Sequence, residues 1–423
     1  MSRMKADQRS RGGTFPALLA ILLCSCLVVQ AATFFDVLVP GINRVAIGGE
    51  AAVLAWYGYR AAMEDRWSVL LLGGALIGYM LFSVAYFSYV SGARPNYNIV
   101  FSYLTIVLFV PFALYENTFR SLVQILVGVT TVYLLIYVVG HDQILASASG
   151  VGLGVLTGNA TRSTRLFLAL PFASFIGFYA LRARTQNLVI RIALFALSTA
   201  AIWISGSRTF QILYALVAGL ALLRAINGFT RWVMFLAVMA VAGLLLFGLY
   251  QEGWNPFNAM SWDDSAYARA LEYRTAVETI RQHWLGGIGL AGDFDAMQHF
   301  LRTEKYKPLY PTDLGVLGPF LLFGLPGLIA FVLVVYFCIV SEIRHRRTGE
   351  TAALRLNAIL CGVYCILSPT VMLEPGSAFL AMLIALRLRS VTDQAPPPDS
   401  AVETQRPDPS AASLAGFRVP FDV

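Results

Sequence analysis

Arg208, Arg274, Glu278, Arg281 and Asp313 are the residues of this chain whose types and spacing suit chemistry on an anion. Arg208 lies in Ser205-Gly206-Ser207-Arg208-Thr209, where one apolar segment ends and the next begins. An arginine at such a place can simply snorkel and cap a helix end. Arg274, Glu278 and Arg281 follow at spacings of four and three, which puts them on one face of a helix. Two guanidinium groups on one face can grip a phosphate bidentately, with Glu278 orienting them. The same spacing also reads as a solvated salt-bridge ladder, and the pattern alone does not decide. Gly286-Gly287-Ile288-Gly289 comes twelve residues after Arg274, and Asp313 opens an apolar segment that contains Gly324-Leu325-Pro326-Gly327.

A reaction that moves a proton would need a base within hydrogen-bond reach. Asp313, Glu278, His299 and His283 are the candidates, although Asp313 could equally cap the helix that starts there. Arg162 and Arg165 could join the anion-binding set or merely anchor the segment that follows them. Asp293-Phe294-Asp295 matches the Asp-x-Asp of metal–nucleotide sites, but two carboxylates at that spacing are common by chance. Glu50 and Glu374 are placed near or inside apolar segments, where a charge is costly and often functional. The five cysteines all fall within apolar segments and read as packing residues.

Most of these residues belong to one polar stretch, Gln251 to Thr312, set between apolar segments on both sides. The stretch also carries Arg269, Arg302, Lys305 and Lys307, and guanidinium groups held at a membrane surface suggest an anionic substrate delivered from the membrane. Ser261-Trp262-Asp263-Asp264 has the look of a capping box, so a helix is expected from about Trp262 to Trp284, stopped by Gly286-Gly287.

The rest of the chain must be the membrane scaffold. Of 423 residues 57% are hydrophobic and 13% charged, with mean hydropathy +0.67, against about 25% charged in a soluble domain. Apolar segments at 14–34, 43–61, 67–90, 97–115, 120–140, 164–181, 187–205, 208–226, 231–250, 313–341, 352–371 and 374–389 give about twelve candidate spans of roughly 20 residues. No ten-residue alternation suggests a barrel. The expected fold class is therefore an all-α polytopic membrane protein with one large, partly helical outer loop.

A basic start (Arg3, Lys5, Arg9, Arg11) places the N-terminus in the cytoplasm by the positive-inside rule, and the first segment is long enough to read as an uncleaved anchor. The domains are then a cytoplasmic N-terminus (1–13), about nine spans (14–250), a large outer loop (251–312), about three spans (313–389) and a Pro-rich cytoplasmic tail (390–423) expected to be disordered. A Gly/Ser-rich second outer loop is expected at 141–164. The +7 formal charge reflects this topology, not nucleic-acid binding.

The order of these motifs resembles the bacterial O-antigen ligase and polymerase family of polytopic membrane glycosyltransferases. There a Ser-Arg at a span boundary precedes a long periplasmic loop with an arginine helix, a Gly-x-Gly, a His-Asn-x-x-Leu segment and a Gly-x-x-Gly in the next helix. The resemblance covers roughly Ser205 to Ile329 and puts Arg208 on the boundary arginine and Arg274 on the loop arginine, so these two, with Asp313, are the expected catalytic residues. Arg281, Arg162, Arg165, Glu278 and His299 are the expected substrate-binding residues beside them. The family histidine falls on Asp313 in Pro311-Thr312-Asp313-Leu314, which weakens a ligase reading and favours a repeat-unit polymerase. The resemblance further implies an undecaprenyl-diphosphate-linked glycan donor with neither nucleotide nor metal cofactor, and an inner-membrane location with both termini cytoplasmic. A chain-length regulator and a flippase are the partners it brings in. The rivals are a ligase passing finished glycan to another acceptor and a lipid-linked-glycan transporter. A transporter would concentrate ionisable residues and broken helices at mid-membrane.

Overall fold

The computed structural model describes residues 21–26, 28–29, 39–63, 65, 67–103, 106–107, 116–150, 170–182, 187–205, 207–223, 264–292, 294–301, 309–311, 314–340, 349–369, 372, 380–381 and 383–384. Every regular element among them is helical: α1 (Ile42–Met63), α2 (Trp67–Ser91), α3 (Asn98–Ser102), α4 (Glu116–Gly150), α5 (Leu170–Arg182), α6 (Leu188–Ile204), α7 (Arg208–Leu223), α8 (Asp264–His283), α9 (Phe294–Phe300), α10 (Leu317–Val340) and α11 (Gly349–Leu367). In hydrocarbon each backbone N–H and C=O must be satisfied inside its own segment, so apolar runs of this length fold as helices. Among the described residues four stretches are long and apolar enough to cross a bilayer: Leu70–Ser91, Val123–His141, Leu317–Ile339 and Gly349–Leu367. Leu188–Ile204 and Thr209–Leu222 are shorter apolar helices. The chain is an all-α membrane protein. The segment expected at 231–250 lies outside the described residues, as do most of 14–34, 97–115 and 374–389.

Part of the Gly/Ser-rich stretch expected as a loop at 141–164 is helical. Helix α4 runs on to Gly150, through ten residues expected to be irregular. Ile144, Leu145 and Ala146 are good helix formers and no proline interrupts them, so an established helix propagates through the serines that follow.

Among the described residues two large apolar cores and a small third one around Phe331, Cys361 and Cys365 organise the fold. The larger is centred on α5, whose residues Pro171 to Ala180 are all buried. A helix apolar on every side belongs in the middle of a bundle, and α5 is enclosed by α4, α6, α7 and α11. Lipid supplies no hydrophobic drive for helix association, so small and polar residues do the joining. Asn357 of α11 donates from Nδ2 to the Pro171 carbonyl at 2.9 Å and accepts the Ser174 hydroxyl at 2.6 Å. Ser198 of α6 donates to the Ala173 carbonyl at 2.7 Å and lies 3.3 Å from the Tyr214 hydroxyl of α7. Arg191 of α6 closes the α5 C-terminus, giving Nε to Ala180 O at 2.8 Å and Nη2 to Leu181 O at 3.0 Å.

The second core joins α2, α3, α8, α9 and α10. Val84, Phe87, Ala276, Ile280, Ile288, Leu290, Met297, Leu321 and Phe323 belong to it. It ties the polar stretch to the spans.

Candidate functional site

Helix α8 carries the proposed arginine face, and its sequence explains how it is held. Glu272, Ala276 and Ile280 recur at intervals of four and are buried, and α8 packs on α10. At about 100° per residue, Arg274, Glu278 and Arg281 fall within roughly a 60° sector opposite that packed face. All three are exposed. The helix ends at His283 and begins by Asp264, inside the bounds expected from its flanking signals; Ser261, the expected cap, lies outside the described residues.

Arg274 Nε donates to Glu278 Oε1 at 3.0 Å, with the side chains 78% and 60% exposed. An exposed pair of this kind contributes only about 0.2–0.5 kcal/mol. Stability therefore does not commit Arg274 to Glu278, and a doubly charged phosphate can compete for it. Arg281 has no hydrogen-bond or ion-pair partner among the described residues. The 251–312 stretch as a whole is not cationic, since its six Lys and Arg stand against eight Asp and Glu. Net charge therefore gives the stretch no general pull on an anion, which leaves the placement of its guanidinium groups.

The glycines after α8 fasten it to a break in α10. Gly324 sits at φ 62°, ψ −148°, a conformation essentially confined to glycine, and Pro326 lacks an N–H. The Leu321 and Leu322 carbonyls thereby lose their normal i+4 donors. Ile288 N and Gly289 N replace them, each at 2.8 Å. In return Leu325 N donates to the carbonyls of Trp284 at 2.9 Å and Leu285 at 3.2 Å. Gly287 also has positive φ, 70°, and an added Cβ would stand 2.5 Å from Gly324 N. Gly289, at φ 88°, lies against α2, where a Cβ would meet Ser83 O at 2.5 Å, and Leu290 N donates to that same carbonyl at 3.1 Å. The Gly-x-Gly and Gly-x-x-Gly motifs are two halves of one junction.

Arg208 is the first residue of α7. The end of the preceding helix is closed by other groups. Gln211 Nε2 donates to Ile202 O at 3.2 Å and Trp203 O at 2.8 Å, and the Ser205 hydroxyl donates to Ile202 O at 2.7 Å. Gln211, which the sequence reading passed over, thus takes part in the capping weighed for Arg208, whose side chain lies outside the described residues. A glutamine one turn into the second helix of a tight helical hairpin is the signal that could have found it. Glu272 was passed over too: a carboxylate 7% exposed, on the α10-facing side of α8.

His299 lies exposed in the last turn of α9, whose Phe300 ring packs near His283 at 5.9 Å and near Phe87 of α2 at 6.1 Å. Asp313, Arg162 and Arg165 lie outside the described residues, as do Arg302, Lys305 and Lys307. The junction thus brings Arg274, Glu278, Arg281, His283 and His299 to one sub-assembly around the α2 and α10 ends. A cavity of about 310 Å³ between α1 and α2 is lined by Ala51, Leu54, Gly58, Leu70, Gly74 and Ile77, among others, and offers no charged group to a diphosphate.

Residues 192–332 match the family model described as O-antigen ligase. The match runs from α6 through the α8 arginine face and the glycine junction into α10, and contains Arg208, Arg274, Glu278, Arg281, His299 and Asp313 but neither Arg162 nor Arg165. No curated protein and no solved structure matches the chain. Residues 192–332, a third of the chain, are thus similar to the O-antigen ligase family and lie within an all-helical membrane fold.

Proposed function

We propose that the chain is a polysaccharide polymerase: it transfers a growing glycan from undecaprenyl diphosphate onto the sugar of an incoming lipid-linked repeat unit, at the periplasmic face of the inner membrane. The observation that carries this reading is the exposed Arg274–Glu278–Arg281 face on a helix fastened to a span, within the segment matched to the O-antigen ligase family. The acceptor hydroxyl attacks C1 of the donor chain, the C1–oxygen bond breaks, and undecaprenyl diphosphate leaves with the bonding pair. The departing diphosphate gains negative charge as the bond lengthens. Fixed guanidinium groups stabilise that charge more than they stabilise the ground state. Arg274 and Arg208 take that role, with Arg281, Arg162 and Arg165 assisting. The hydroxyl proton passes to a carboxylate or imidazole, for which Asp313, Glu278 and His299 are the proposed acceptors.

Asp313 in the place of the family histidine supports a polymerase over a ligase. The family's own description, O-antigen ligase, favours the second reading, transfer of finished glycan to a different acceptor. Glycan profiles of a deletion strain separate them. Single lipid-linked repeat units with no ladder above them support polymerase. Long polymer that stays on its lipid carrier supports ligase. Repeat units retained on the cytoplasmic face would mean transport and would overturn both.

A further inference from the structure

The junction after α8 sits at a depth that its polar surroundings in the sequence conceal. Trp284 and Leu285 hydrogen-bond through their carbonyls to Leu325 N, eight residues beyond the start of the Leu317–Ile339 span. At 1.5 Å per residue that is about 12 Å along the helix from its outer end. On the other side, Leu290 N bonds to Ser83 O, eight residues before Ser91 closes the Leu70–Ser91 span, again about 12 Å in. On α10 the neighbouring Gly289 N meets Leu322 O about 7.5 Å in, so both spans place the segment inside their ends. By Gly292 the chain has risen again, because its carbonyl accepts from Asn96 Nδ2 at 2.8 Å in the connection after α2.

Irregular backbone survives at membrane depth only where its polar groups are satisfied by protein. They are satisfied here. Gly287 N, Ile288 N, Gly289 N and Leu290 N all donate to carbonyls, and the Trp284 and Leu285 carbonyls accept Leu325 N. The glycine side of the segment is buried against α2 and α10, whereas Trp284 and Leu285 point away from the protein, 54% and 61% exposed. Two large apolar side chains left exposed among the described residues, at the depth of two spans, fit the acyl layer of the bilayer.

We propose that residues 284–290 form a re-entrant element whose Trp284 and Leu285 contact membrane lipid. Arg281, one turn back on α8, is then within snorkelling reach of the phosphate layer, where the head group of any lipid-linked substrate must lie. The inference rests on α2 and α10 being spans and not on the polymerase reading.

The test is spin-label depth measurement on the full chain in bilayers. Single cysteines are placed at W284C and L285C, with L333C on α10 as a lipid-facing reference (60% exposed) and Y273C higher on α8 as a water-side reference. The native thiols are buried, none more than 7% exposed, and the unsubstituted chain serves as the labelling control. Expected are oxygen-to-nickel collision ratios at 284 and 285 that match position 333 and exceed position 273 several-fold. Nickel accessibility at 284 and 285 equal to that at 273 overturns the proposal. So does nickel accessibility at 333, because α10 would then not be a span. No substrate or turnover enters the measurement, so failure of the polymerase reading leaves its result standing.

Discussion

Gly287 and Gly324, thirty-seven residues apart, stand backbone to backbone, each filling the space that the other's Cβ would need. Both have positive φ, and Gly324 lies in a region that costs another residue about 1–3 kcal/mol before any overlap is counted. Alanine at Gly324 would also drive a methyl into Gly287 N and Leu285 O. G324A and G287A are therefore expected to melt well below the wild-type chain in detergent and to lose polymer together. G219A on α7 is the matched control: nothing lies within 4 Å of its Cβ, and alanine should be neutral or stabilising by about 0.5–1 kcal/mol. A G324A protein that melts with wild type would remove the junction from the account of the site.

Arg274 and Glu278 set a different expectation. The pair is exposed on both sides, so a double-mutant cycle on R274A and E278A should give a stability coupling below about 0.5 kcal/mol. Activity should nevertheless fall with E278Q if the carboxylate orients the guanidinium. Coupling above 1 kcal/mol in unfolding would recast the pair as structural and favour the salt-bridge ladder.

These contrasts show what the sequence could reveal. The end of α8 was legible because Gly286-Gly287 stops a helix whose spacing of charges is plain, and the all-α membrane class was legible from apolar length alone. That Arg274, Glu278 and Arg281 share a face follows from helix geometry, but the identity of the opposite, packed face required knowing that α10 breaks at Gly324. The partner of Gly287 was not legible. Two short glycine motifs carry no information about each other until a backbone exchange joins them. For the same reason Trp284 and Leu285 read as part of a polar outer loop, since depth is set by their hydrogen bonds to Leu325 and not by their neighbours in sequence.

Asn357 tests the scaffold apart from the site. It is fully buried on α11 and binds both Pro171 O and the Ser174 hydroxyl of α5. N357L removes both hydrogen bonds and leaves the Pro171 carbonyl without that donor. Interhelical hydrogen bonds in membranes contribute about 0.6 kcal/mol on average and up to roughly 1.7. N357L should thus lose about 1–2 kcal/mol in a reversible detergent unfolding assay, with glycan length unchanged in the folded fraction. Altered glycan length at normal stability would instead link α5 to the reaction.

Arginine specificity at the reacting end is the sharpest test of the chemistry. A diphosphate leaving group presents oxygens in pairs, which a planar guanidinium matches with two parallel N–H donors and an ammonium cannot. Arg274→Ala and Arg208→Ala should each lower polymer formation by about 10²–10³ with membrane insertion unchanged. Arg274→Lys keeps the charge and should recover only part of that loss. Arg281, with no described partner to lose, should show a smaller defect as alanine, and a double R274A/R281A variant should fall below either single one if both guanidinium groups reach the same anion. Full activity in R274K would mean that charge alone suffices, and the bidentate account of the α8 face would have to be abandoned.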